Sequence, residues 1–109
     1  MNILFDNKTI RELCEKKSKA EQKLGPVCAR KLRLRLSELE AASKVTDLTA
    51  GKPHPLQGDR SGQFALDLSG GWRLVFRSAN EPTPILDNGT IDWSWVTIVN
   101  IVYIGDYHD

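Results

Sequence analysis

The spacing of apolar positions changes partway along the chain. Cys28, Leu32, Leu36 and Leu39 recur at steps of four, four and three, and Ile10, Leu13 and Cys14 share a face upstream. That spacing lays one side of a helix against a core. Thr9, with Glu12 three positions on, reads as a capping box, so a first helix is predicted from residue 9 to about residue 23. Gly25 suits the end of that helix and Pro26 the first turn of the next, which runs to about residue 42. Arg30, Lys31 and Arg33 point away from the apolar stripe. Two helices joined by so short a turn form an antiparallel hairpin. The apolar opening, residues 1–5, is predicted to be a short strand.

Beyond residue 43 the period shortens. Residues 43–60 hold Gly51, Pro53, Pro55 and Gly58 and read as a loop with one helical turn near Val45. Phe64, Leu66 and Leu68 then alternate with polar or small residues, Ser69, Gly70 and Gly71 form a hairpin turn, and residues 72–77 return. On the return strand Trp72, Leu74 and Phe76 share one face, and Arg73 and Arg77 the other. Residues 80–89 carry two prolines and read as an excursion, and the β-branched run 96–104 as a central strand. Helices followed by strands predict an α+β fold, an N-terminal helix hairpin packed on a small antiparallel β-sheet. The other sheet face is left open for a ligand.

Composition narrows the class. A chain of 109 residues, 40% hydrophobic and 27% charged, suits one globular domain spanning 1–109. No apolar run approaches the roughly 20 residues needed to cross a bilayer, and residues 1–6 lack a secretory pattern. Cys14 and Cys28 make neither a disulfide framework nor a zinc spacing. A cytoplasmic protein with no metal, no cofactor and no membrane partner is expected. The net charge of +1 conceals a lopsided chain: Lys8 to Arg35 carries ten Lys or Arg against three Glu, and no Lys or Arg follows residue 77. A basic helical region suits a polyanion; a solvated helix surface would look the same.

The chain has two histidines. His54 sits between Pro53 and Pro55, which stiffen its segment; His108 lies near the end, in Asp106-Tyr107-His108-Asp109. Arg73 is mid-strand beside a hairpin, suited either to forking onto a phosphate or to an ion pair with Asp67. Two imidazoles and a guanidinium are the parts that RNA cleavage needs without a metal. A base takes the 2′-OH proton, that oxygen attacks phosphorus, an acid protonates the leaving 5′ oxygen, and the arginine offsets charge on the phosphate.

The residues Pro53-His-Pro-Leu-Gln-Gly-Asp-Arg60, Gly62, Gly71-Trp-Arg-Leu-Val-Phe76 and Asp106-Tyr-His108 resemble the HigB-type branch of the RelE/ParE toxins of type II toxin–antitoxin systems. The likeness covers nearly the whole chain. It implies a RelE-like fold and a ribosome-dependent endoribonuclease, an mRNA interferase, silenced by a HigA-type antitoxin. It implies catalytic positions at His54, Arg73, Tyr107 and His108, with Asp106 and Arg60 supporting. Gln57, Arg60, Arg77, Lys31 and Arg33 are expected to bind RNA, 16S ribosomal RNA included. Two features depart from the pattern. Gln57 stands where the branch usually has Lys, and a lost cation near the transition state can cost on the order of 10²-fold in rate. The segment 80–95 is longer than usual and carries Trp93 and Trp95, a nucleobase or ribosomal RNA platform, an antitoxin contact, or caps on the sheet. The alternatives are a ParE-like gyrase-inhibiting toxin and an attenuated, non-catalytic antitoxin-binding protein.

Overall fold

The computed structural model describes residues 1–107. Strand β1 (Asn2–Phe5) leads into three helices, α1 (Lys8–Glu15), α2 (Lys17–Leu24) and α3 (Pro26–Ala41). Four strands follow: β2 (His54–Pro55), β3 (Gln63–Asp67), β4 (Arg73–Ser78) and β5 (Ile98–Gly105).

The predicted first helix is two helices. Lys16 adopts an extended conformation (φ −113°, ψ 108°) and is at once the end of α1 and the start of α2. Its N–H still closes on Glu12 O at 2.9 Å. The cap is also displaced from Thr9 to Asn7, whose Oδ1 accepts from Ile10 N at 2.9 Å. Asn outcompetes Thr here because it lies where the backbone is still extended (φ −154°, ψ 172°). Gly25 alone joins α2 to α3, at φ +81°, and Pro26 opens α3 as expected.

The sheet order is β1-β5-β4-β3-β2. Three of its pairings are antiparallel, but β1 runs parallel to β5, so the expected antiparallel sheet is mixed. Parallel neighbours require a long crossover; here the three helices begin that crossover. The β3–β4 hairpin turns through Gly70 (φ +59°) and Gly71 (φ +85°), two positive angles that suit the right-handed twist of the strands. The single turn at Val45–Asp47 is helical, as predicted.

The helices cover one sheet face. Ile10, Cys28, Leu32 and Leu39 pack there against Phe64, Leu66, Leu74, Phe76, Val99 and Ile101. Burial, and then the neighbouring Glu15 carboxylate, push the Cys14 thiol up from 9.0 to about 12. Trp93 closes this core, its ring 4.9 Å from Phe64 and 6.2 Å from Phe76. Trp95 does not: it is 71% exposed. The capping role considered for both therefore holds for Trp93 alone, since the single helical turn Trp93–Trp95 sends one ring inward and the other outward. The excursion before β5 is anchored by Asn80, whose Oδ1 accepts from Thr97 N at 3.0 Å and Ile98 N at 3.2 Å.

Candidate active site

The face of the sheet away from the helices carries a second, smaller apolar cluster: Leu56, Ala65 and Val75 are buried, with Val102, Tyr103 and Tyr107 against them. Side chains alternate along a strand, and directly opposed residues share a face. The register therefore lays His54, Ala65, Val75 and Tyr103 in one row across β2, β3, β4 and β5. Asp67 and Arg73 make the next row on one side, and Gln63, Arg77 and Asn100 the next on the other. Two strand spacings and one pleat repeat separate the Cα atoms of His54 and Arg73 by about 12 Å. A register shift in β5 between the partners of Val75 and Phe76 keeps Tyr103 on this face and Ile101 on the core face.

His54 was read as part of a loop and is instead on an edge strand, β2, two residues long. Its ring is exposed. Nδ1 lies 2.7 Å from Lys52 O. A carbonyl only accepts, so Nδ1 carries the hydrogen, and in the neutral ring Nε2 presents a lone pair to solvent. Lys52 holds that carbonyl in place from a left-handed conformation (φ 49°) that non-glycine residues seldom adopt. An Nε2 that no described residue occupies, on a fixed ring, is what a general base requires.

Of the two contacts its sequence position allows, Arg73 makes the one to Asp67. Its Nε sits 2.8 Å from Asp67 Oδ1, and both side chains are half-buried. The contact is an ion pair by distance without the alignment of a hydrogen bond. Nη1 donates to Trp72 O at 3.3 Å. The guanidinium remains on the open face. Arg77, four residues along on the same face, is 3.8 Å from Asp6, an exposed pair of little energetic weight. Arg60 lies over two phenol rings at once, 4.4 Å from the centroid of Tyr103 and 4.8 Å from that of Tyr107. It also donates to Gln63 Oε1 at 3.1 Å. Tyr103 and Tyr107 are in edge contact at 6.1 Å.

The structure thus brings together His54, Arg60, Arg73, Arg77 and Tyr107 on one face. Gln57 is exposed two residues after the end of β2's register with β3, beside a cavity of about 400 Å³ that Pro55, Gln63, Thr90 and Trp93 also line. Asp106 lies against the hairpin, where a Cβ on Gly71 would meet its carboxylate at 3.3 Å. Lys31 and Arg33 are not part of this constellation: both belong to α3, which packs on the opposite face. His108 lies outside the described residues. Sequence reasoning missed Tyr103, which sits inside a β-branched run that reads as plain strand core; its spacing of four from Tyr107 was the available signal. Among the described residues no group of His, Cys, Asp and Glu is arranged to hold a metal, and no helix is long and apolar enough to cross a membrane.

An α+β fold with this mixed sheet is shared with known toxins. The chain is similar to a solved YoeB/ParE toxin from Agrobacterium tumefaciens at 13% identity, with a TM-score of 0.62 over 99% of this chain and 100% of that one. It is similar to a YoeB dimer from Staphylococcus aureus at 18% identity, with a TM-score of 0.58 over 100% and 98%. A YafQ mutant from E. coli matches at 18% identity, with a TM-score of 0.55 over 96% and 91%. At such identities the likeness establishes the RelE-like fold. No protein-family model and no curated protein matches the chain.

Proposed function

We propose that the chain is the toxin of a type II toxin–antitoxin pair, of the HigB-type branch of the RelE/ParE superfamily. In this reading it is a cytoplasmic endoribonuclease that cuts messenger RNA on the ribosome without a metal. The observation that carries the proposal is the placing of His54, Arg73 and Tyr107, distant in sequence, on one open sheet face, with no hydrogen bond to Nε2 of His54 from the described residues. His54 takes the 2′-OH proton at Nε2. Arg73 sets its guanidinium against the equatorial phosphate oxygens, where charge gathers in the transition state. Tyr107, braced by Arg60, offers an aromatic face to a base or a hydroxyl to the phosphate. His108 is the second proton carrier. Arg60, Arg77 and Gln57 line the approach of the RNA strand, and Lys31 and Arg33, on the far side, meet ribosomal RNA such as 16S rather than the scissile phosphate.

An antitoxin of HigA type is the proposed partner. Solved complexes of YoeB with YefM from Staphylococcus aureus, at 18% identity to this chain, support a protein partner for this fold. Gln57 favours one second reading, an attenuated nuclease, because an exposed amide stands where a cation would neutralise phosphate.

The test is expression without antitoxin, with messenger 5′ ends mapped. Cuts in the wild type that vanish in His54→Ala support the nuclease. Growth arrest without cuts points to a gyrase-directed toxin and refutes it. Weak cutting strengthened by Gln57→Lys supports attenuation.

A further inference from the structure

We propose that Asp67 is a positioning residue that sets Arg73 and the His54 segment together, with Arg35 locking it from behind; the proposal rests on the functional reading above. Asp67 ends β3 and is used three times. Its carboxylate meets Arg73 Nε at 2.8 Å. Its N–H donates to Gly51 O at 2.6 Å. Its carbonyl accepts from Arg35 Nε at 3.1 Å.

Arg35 is the one buried charged residue among those described, only 7% exposed. Burying a guanidinium is unfavourable unless its donors are matched. Arg35 matches them with Glu38 Oε1, 2.7 Å from Nη1, and with the Asp67 carbonyl. It thereby ties α3, on the core side, to the end of β3, whose Asp67 pairs with Arg73 of β4.

The second arm runs through the main chain. Gly51 is pinned by Asp67 and adopts φ +82°; a Cβ there would sit 2.6 Å from Arg35 Nε and 3.2 Å from Asp67 O. Only glycine fits so close an approach. Lys52 follows at φ 49°, and its carbonyl holds Nδ1 of His54. The orientation of the imidazole is therefore fixed from the same node that fixes the guanidinium. One residue sets two groups that lie about 12 Å apart in the sheet.

The test uses Asp67→Ala and Asp67→Asn in the complete chain. Circular dichroism first confirms that each variant folds. The ¹⁵N–¹H resonance of Arg73 Nε is expected to move away from its carboxylate-paired position in Asp67→Ala. Cleavage by that variant is expected to show kcat lower by about tenfold to a hundredfold with KM within about twofold, since misplacement of a reacting group costs rate rather than binding. Asp67→Asn, which keeps an acceptor oxygen, should recover part of kcat. For the main-chain arm, Arg35→Lys keeps a charge for Glu38 but removes Nε; the imidazole ¹⁵N shifts of His54 are expected to move away from the Nδ1–H pattern. An unmoved Arg73 resonance, an unchanged kcat, or an unmoved His54 pattern overturns the proposal. If the wild-type chain cuts no RNA, the nuclease reading fails, while the two resonances still decide whether Asp67 sets the groups.

Discussion

Replacing Gly51 by alanine isolates the cost of crowding that node. Two terms add. An L-residue at φ +82° pays about 1–2 kcal/mol for the left-handed backbone. The new Cβ, 2.6 Å from Arg35 Nε, also forces that side chain off the Asp67 carbonyl. A hydrogen bond with a charged donor contributes about 1.5–3 kcal/mol. The sum is about 3–5 kcal/mol, a large share of a small domain's stability. Gly89→Ala is the control: it has φ +87° and nothing within 4 Å of its Cβ position, so it carries only the first term. Chemical denaturation of the two variants should differ by about 1.5–3 kcal/mol, or roughly 6–20 °C in melting temperature. Equal stability of the two, to within about 0.5 kcal/mol, would show that Arg35 yields freely and that the packing around Gly51 holds nothing in place.

Other expectations follow from single contacts. Trp93→Ala should cost about 3–5 kcal/mol in urea unfolding, because it empties a site against Phe64 and Phe76, whereas Trp95→Ala, on an exposed ring, should stay within about 0.5 kcal/mol of the wild type. Under the proposed function, Arg73→Ala should abolish growth arrest on expression while the circular dichroism spectrum is retained; collapse of the fold would make Arg73 structural. The raised Cys14 thiol has a stability consequence: above pH 9 the unfolded chain releases a proton that the folded chain keeps up to about pH 12. Stability should therefore decline across that interval, and less steeply in Cys14→Ala, as read from melting temperatures at successive pH values.

Much of the architecture was legible because hydrophobic spacing reports the buried face directly. Cys28, Leu32 and Leu39 announced α3, and Phe64, Leu66 and Leu68 announced β3 and its turn. What spacing does not encode is direction and partnership. Nothing in residues 1–5 tells a strand to lie parallel to β5, because that choice is made by the crossover and not by the strand. The break at Lys16 escaped notice for a similar reason: lysine is a good helix former, so its identity gives no warning of the extended backbone found there. At the candidate site, His54, Arg73 and Arg60 stood out by residue type, and the alternation along β4 placed Arg73 and Arg77 outward. Lys31 and Arg33 were grouped with them by charge alone, a property that carries no information about which side of a sheet a helix covers. Gly51 read only as a loop breaker and Arg35 only as one charge among ten, since the role of each depends on the other's position across the fold.

The two-residue strand that carries His54 has a further consequence for how this molecule meets others. Leu56 N–H points inward, to Gln63 O, so by alternation the outward-facing amide positions of this segment are 53 and 55. Both are proline, and neither has a hydrogen to give. An incoming chain that tried to extend the sheet past β2 would find no donors along that border. Growth by strand addition is thereby confined to the opposite margin, at β1, and the border beside the imidazole stays clear of such additions.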